Sequence, residues 1–163
     1  MMPLRPSRPV DDVALARVVH VVAVLFWIGG VGFVTWVVMP AIRHSECAAD
    51  RLAKFHAIEG RFAGQAKLWV LIAGASGFLM VHRAEMWTRF ADPRFWWMHA
   101  MVALWAVFTL MLFVIEPLFL HRRLATSAIP QADFERMQRF HQILVALALI
   151  TLAGAVGGSH GLF

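Results

Sequence analysis

Charge is missing from most of this chain. Residues 18–42, 95–115 and 140–163 contain no acid, lysine or arginine, and Lys67 is the one such residue in 62–82. Each stretch is long enough to cross a hydrocarbon core of roughly 30 Å at about 1.5 Å per helical residue, the second if the Lys67 stem carries its ammonium to the interface. Cysteine is almost absent as well. Cys47 stands alone, which excludes a disulfide within the chain, and a single thiol in a loop is weak evidence of reactivity.

The motifs of soluble enzymes are also missing. There is no CxxC, no CxxCH for covalent haem, no HExxH, and no GxGxxG or phosphate loop set between strand and helix. No serine signature selects an acid among Asp11, Asp12, Glu85 and Asp92 for a hydrolytic triad. The net charge of +5 comes from basic residues divided among loops, without a recognition module, so the composition implies no nucleic acid. Acidic headgroups of membrane lipids are a sufficient partner.

Apolar residues dominate what is present. They make up 60% of the chain and the mean hydropathy is +0.67, against roughly 45–50% apolar residues in a soluble domain. The pattern predicts one integral membrane domain, an all-α, four-transmembrane-helix up-and-down bundle with spans near 15–40, 62–83, 95–119 and 137–158. Both termini then share a side, here called side A. The opposite side, B, carries Arg43, Arg51, Lys54 and Arg61 after the first span and Arg122, Arg123, Arg136 and Arg139 after the third. Side A carries Arg5, Arg8, Arg17, Arg83, Arg89 and Arg94. The basic excess makes side B cytoplasmic and puts both termini on the periplasmic side of a bacterial inner membrane. The polar tail MMPLRPSRPV is too poor in apolar residues for a cleavable signal, so the first span is expected to act as its own insertion signal.

Local signals refine the four spans. The first opens after Asp11 and Asp12 and is expected to close at Pro40. Gly29, Gly30 and Gly32, then Gly74 and Gly77, then Gly154, Gly157 and Gly158 offer small surfaces that suit either close helix packing or a flat ligand. Trp87, Trp96 and Trp97 read as an interfacial belt at side A. Glu116 and Pro117 mark the side-B end of the third span, with Glu116 in reach of Arg122 or Arg123.

The topology sorts the eight histidines into two layers. His20, His82, His99 and His160 fall at side A, one from each helix end, and His44, His56, His121 and His141 fall at side B. His20 and His99 lie about a turn inside their spans, on helices that can be diagonal in a bundle, so their imidazoles can grip an iron porphyrin from its two faces. Trp27 shares the face of His20 with Ala23 and Val24 and can pack on the macrocycle edge, while Ala103 and Ala106 share the face of His99. His82 and His160 can form a second opposing pair, join a proton path, or bind propionates with Arg83 and Arg17; interfacial solvent contact explains them equally well. His56 or His141 can serve a second haem at side B. Copper is the rival metal, because Met80, His82, Met86, Met98, His99 and Met101 gather thioethers and imidazoles around the side-A loop. Methionine used as flexible packing gives the same spacing.

The segment RVVHVVAVLFWIGGVGFVTWVVMPAIR resembles the opening span of the CopD-like and HemJ-like four-helix membrane proteins, with a His followed by Trp-x-Gly-Gly in one helix. RFAGQAKLWVLIAGASGFLM, WWMHAMVALW and RMQRFHQILVALALITLAGAVGG are similar to the second, third and fourth helices, less distinctively. The HemJ-like branch implies haem at His20 and His99 and a membrane protoporphyrinogen oxidase. Its third-helix pattern has a Lys shortly after the His, where this chain reads His99, Ala100, Met101. The CopD-like branch implies copper uptake or handling. The expectation from residues and resemblance together is a protein that binds haem b and transfers electrons. It would be a small membrane oxidoreductase or a respiratory-complex subunit, with a quinone or porphyrinogen as reactant and a homodimer or larger membrane complex as its setting. A copper transporter, a protoporphyrinogen oxidase-like enzyme and a structural membrane subunit are the alternatives.

Overall fold

The computed structural model describes residues 12–47, 50–120 and 130–162, and these are helical with no strand among them. Four helices are long and apolar enough to cross a membrane: α1, Asp12–Ser45; α2, Arg51–Arg83; α3, Pro93–Leu118; and α4, Gln131–Ser159. Large apolar side chains such as Leu25, Leu68, Phe78, Leu118 and Ile143 are exposed on them. A soluble protein would bury that surface, whereas a lipid-facing one has no reason to. The chain is an integral membrane protein, and the tail before residue 12 and Arg122 and Arg123 lie outside the described residues.

Consecutive helices run antiparallel. Arg83 at the end of α2 pairs with Asp12 at the start of α1 at 3.7 Å, and Phe55 and Phe134, near the starts of the parallel helices α2 and α4, meet at 6.2 Å. Trp96 and Trp97 at the start of α3 meet Gly154 and Gly158 near the end of α4. The N-terminal end of α1 and the C-terminal end of α4 therefore share side A. Between α2 and α3 the chain turns at Glu85, whose φ of 51° is left-handed, and Asp92 then accepts a hydrogen bond from the Arg94 amide at 2.9 Å.

Two prolines sit inside helices instead of ending them. Proline lacks the N–H of the helical ladder and its ring crowds the carbonyl four residues back. Ahead of Pro40 the helix widens into π-helical turns over Val34–Val38, then resumes as Met39–Ser45. The first helix thus runs past the expected stop at Pro40, because the wider turn makes room for the ring. Buried Thr35 in that segment donates to the Val31 carbonyl at 2.7 Å. The same π-helical form covers Met111–Leu120 around Pro117.

Glycines receive aromatic rings from neighbouring helices. A Cβ on Gly74 would lie 2.6 Å from Trp105 Nε1, and one on Gly154 would lie 2.5 Å from the Trp96 ring. Phe62 fills the space at Gly30, and Trp97 that at Gly158. Of the two uses open to the small-residue surfaces, these four positions serve helix packing. Trp97 is consequently buried, whereas Trp96, which reaches α4 at Gly154, and Trp87 remain exposed, so two of the three rings of the expected belt stand at the surface. In lipid, where apolar side chains gain little by leaving their surroundings, such van der Waals fit is what joins helices.

The Trp105 ring is fixed at the edge that meets Gly74, because Nε1 donates to the Val70 carbonyl at 3.0 Å. Gly74→Ala is therefore expected to destabilise the bundle by about 1–3 kcal/mol through overpacking. Gly64→Ala, with nothing within 4 Å of its Cβ, should be neutral or mildly stabilising. Reversible unfolding in mixed micelles measures both.

Candidate functional site

At side A, His20 differs from its three layer-mates. It is half-buried against α2, whereas His82, His99 and His160 are exposed. Its Nδ1 lies 2.9 Å from the Ala73 carbonyl and 3.2 Å from Ser76 Oγ. A carbonyl can only accept, so Nδ1 carries the proton. Ser76 has its own donor committed to the Ile72 carbonyl at 2.6 Å, which leaves its oxygen to accept from His20. Gly77 completes the seat: a Cβ there would stand 3.1 Å from the imidazole Cε1. The ring is thus fixed in one tautomer, with Nε2 a lone pair that has no hydrogen-bond partner among the described residues. Ligating imidazoles are typically held in this way, the far nitrogen donating to a carbonyl while the other is presented to a metal.

The other three histidines are placed differently. His99 meets Phe90 edge-on at 5.4 Å, and no hydrogen bond holds either nitrogen among the described residues. His82 stacks on Phe78 at 6.2 Å. The His160 ring donates to its own helix through the Val156 carbonyl at 2.8 Å. Among the described residues no hydrogen bond or ring contact joins any of the four histidines to another. Arg83, one candidate for propionates, pairs with Asp12.

Trp27, two turns below His20 on α1, is buried in the core beside Ala23, Val70 and Ala73. It meets Phe108 of α3 at 5.0 Å and 88°. Its indole N–H is buried without a hydrogen-bond partner, an unusual cost for a donor in a low-dielectric interior. The methionine and histidine set divides by depth: Met98 is buried, Met80, Met86 and Met101 are half-buried, and His82 and His99 are exposed.

The side-B end gathers polar groups around Glu59, which the sequence pattern does not single out. Glu59 lies between two imidazoles, with Oε2 3.4 Å from His56 Nδ1 and Oε1 3.8 Å from His141 Nε2. Lys67 pairs with Glu116 across α2 and α3 at 3.2 Å. Glu116, a boundary carboxylate in the sequence pattern with Arg122 or Arg123 in reach, thus pairs with a cation of the neighbouring helix, and the two arginines lie outside the described residues. The His56–Glu59 spacing of three along a helix was the available signal for this cluster. The contacts to α3 and α4 have no counterpart in local sequence.

Comparison with family models, with curated proteins and with solved structures returned no match.

Lys67→Met would leave the Glu116 carboxylate inside the bundle without its cation. A loss of about 1–3 kcal/mol is expected, below the usual figure for a fully buried pair because water already screens the ammonium. Adding Glu116→Gln should recover part of the loss, and unfolding of the two single variants and the double variant measures that coupling.

Proposed function

We propose that this protein is a haem b-binding membrane protein that transfers electrons, in which His20 would hold the iron. The single observation that carries the reading is the seat of His20, with Nδ1–H on the Ala73 carbonyl and a free lone pair on Nε2. The likeness of the first span to the CopD-like and HemJ-like proteins points the same way. The chemistry of the donor set fits at this imidazole. His99 is the second ligand in this reading, since hydrogen bonds leave both its nitrogens free and α3 faces α1 across the bundle through Phe108 and Trp27.

The bound haem would supply a one-electron iron couple. The chain's own contribution is to hold and tune. The Ala73 carbonyl and Ser76 Oγ orient the His20 ring and raise its basicity, which favours the oxidised metal. Ala23, Val70 and Ala73 keep the floor of the site apolar. The reactant on this reading is a quinol or porphyrinogen entering from the lipid. The setting is a bacterial inner membrane with both termini periplasmic, and the protein acts as a homodimer or within a larger respiratory complex.

Purified protein should show a reducible Soret band in a reduced-minus-oxidised spectrum. His20→Ala should abolish it, and His99→Ala should change its ligand field. Ser76→Ala, which removes one acceptor from the Nδ1 proton, should retain the band and raise the midpoint potential. Protein that contains no iron, or spectra indifferent to His20, would sink the reading.

A further inference from the structure

The cluster at side B has a stoichiometric peculiarity. His141 Nδ1 lies 3.0 Å from the Met137 carbonyl and must carry a hydrogen to bond it. A neutral His141 therefore presents a lone pair from Nε2 toward Glu59 Oε1, 3.8 Å away. An ionised Glu59 presents lone pairs in return. Two such groups attract only when one proton belongs to the pair, held on the imidazole or on the carboxyl. Water can occupy the gap, which is wide for a direct hydrogen bond. On the other oxygen, Glu59 faces His56 Nδ1 at 3.4 Å. His56 Nε2 is then buried with no hydrogen-bond partner.

Glu59 and His141 open on a cavity of about 70 Å³ lined by residues of all four helices. Glu59 and His141 line it with Glu116, and Val31, Phe62 and Phe108 are among its apolar walls. One water needs about 10–15 Å³ of such space and two or more polar partners, so the polar end has room and partners for several. Glu116 Oε2 is buried and, although 3.2 Å from Lys67 Nζ, lacks the alignment of a hydrogen bond. The ionisable groups that line the cavity or pair with one that does are His56, Glu59 and Lys67 from α2, Glu116 from α3 and His141 from α4. The lining residues from α1 are Val31 and Val34.

We propose that Glu59, His56 and His141 form a proton-loading site that exchanges protons between side-B water and the hydrated cavity inside the bundle. A proton from side-B water adds to a Glu59 oxygen, which His56 and His141 flank. Its passage to cavity water regenerates the Glu59 carboxylate, so the site is restored with no other reactant. The site stands at the opposite end of the bundle from His20 and does not rest on the haem reading.

The test is infrared difference spectroscopy of the full chain in nanodiscs between acid and alkaline pH, in light, deuterated and heavy-oxygen water. The expected spectrum contains a carboxylic-acid C=O band that shifts on deuteration, is lost in Glu59→Gln, moves in His141→Gln and persists in Glu116→Gln. An internal-water O–H band that shifts in heavy-oxygen water should accompany it and vanish in Ala66→Val, which fills the cavity. Should Ala66→Val not fold, Leu144→Phe fills the same cavity from α4. A wild-type spectrum without the carboxyl band, or a band unaltered in Glu59→Gln, overturns the proton site. An internal-water band absent from the wild type, or unaltered in the filled variant, overturns its connection to the cavity.

Discussion

The seating of rings in glycine hollows is the constraint on which the rest of this bundle depends. Lipid removes the usual hydrophobic drive for helices to associate, so contact must come from shape, and a flat ring against bare backbone gives more contact per residue than two branched side chains. Phe62 at Gly30 sets α2 against α1, Trp105 at Gly74 sets α3 against α2, and Trp96 and Trp97 at Gly154 and Gly158 set α3 against α4. His20 uses the same device at Gly77. The candidate ligand is thus a packing element whose polar edge has been turned to the Ala73 carbonyl, and its orientation follows from the helix interface.

Much of the architecture is legible in sequence because the bilayer imposes it. The uncharged stretches correspond to helices long enough to span, since no other open-ended structure satisfies the backbone in lipid. The ends were harder. Pro40 reads locally as a stop, but a π-helical turn over Val34–Val38 absorbs it, and no residue pattern announces that turn. Arg51–Arg83 likewise begins well before the apolar window of α2, because Leu52 and Phe55 pack on α1 and α4 in a second core with Met39, Ile42 and Phe134.

The candidate site was partly legible for the same reason. Topology alone assigns His20, His82, His99 and His160 to one end, but depth and partner distinguish them, and both depend on the neighbouring helix. Ser76 is unremarkable as a small residue in a small-residue helix. Its role appears only when α1 is laid against it. Glu59 lies outside the uncharged window and carries no local signal of its role, although its contacts to His56 and His141 turn it inward. Local sequence sends the Lys67 ammonium to the interface, whereas a carboxylate on the next helix gives it a partner at 3.2 Å.

The two polar ends are held apart by apolar contacts. Trp27 and Phe108 meet edge to face across the bundle, below His20 and at the inner limit of the side-B cavity that Phe108 helps to line. Ala23, Val70, Ala73 and Val145 close around that pair. An apolar layer of this kind carries no chain of exchangeable hydrogens; the buried Trp27 N–H and the Thr109 hydroxyl, next to Phe108, have no hydrogen-bond partner among the described residues. Electrons cross such a layer readily because their transfer needs no continuous hydrogen-bonded path, whereas protons need one. If electrons move at His20 and protons at Glu59, the bundle therefore keeps the two carriers on opposite sides by packing alone, and any coupling between them must be electrostatic, strengthened by the low dielectric of the layer that separates them.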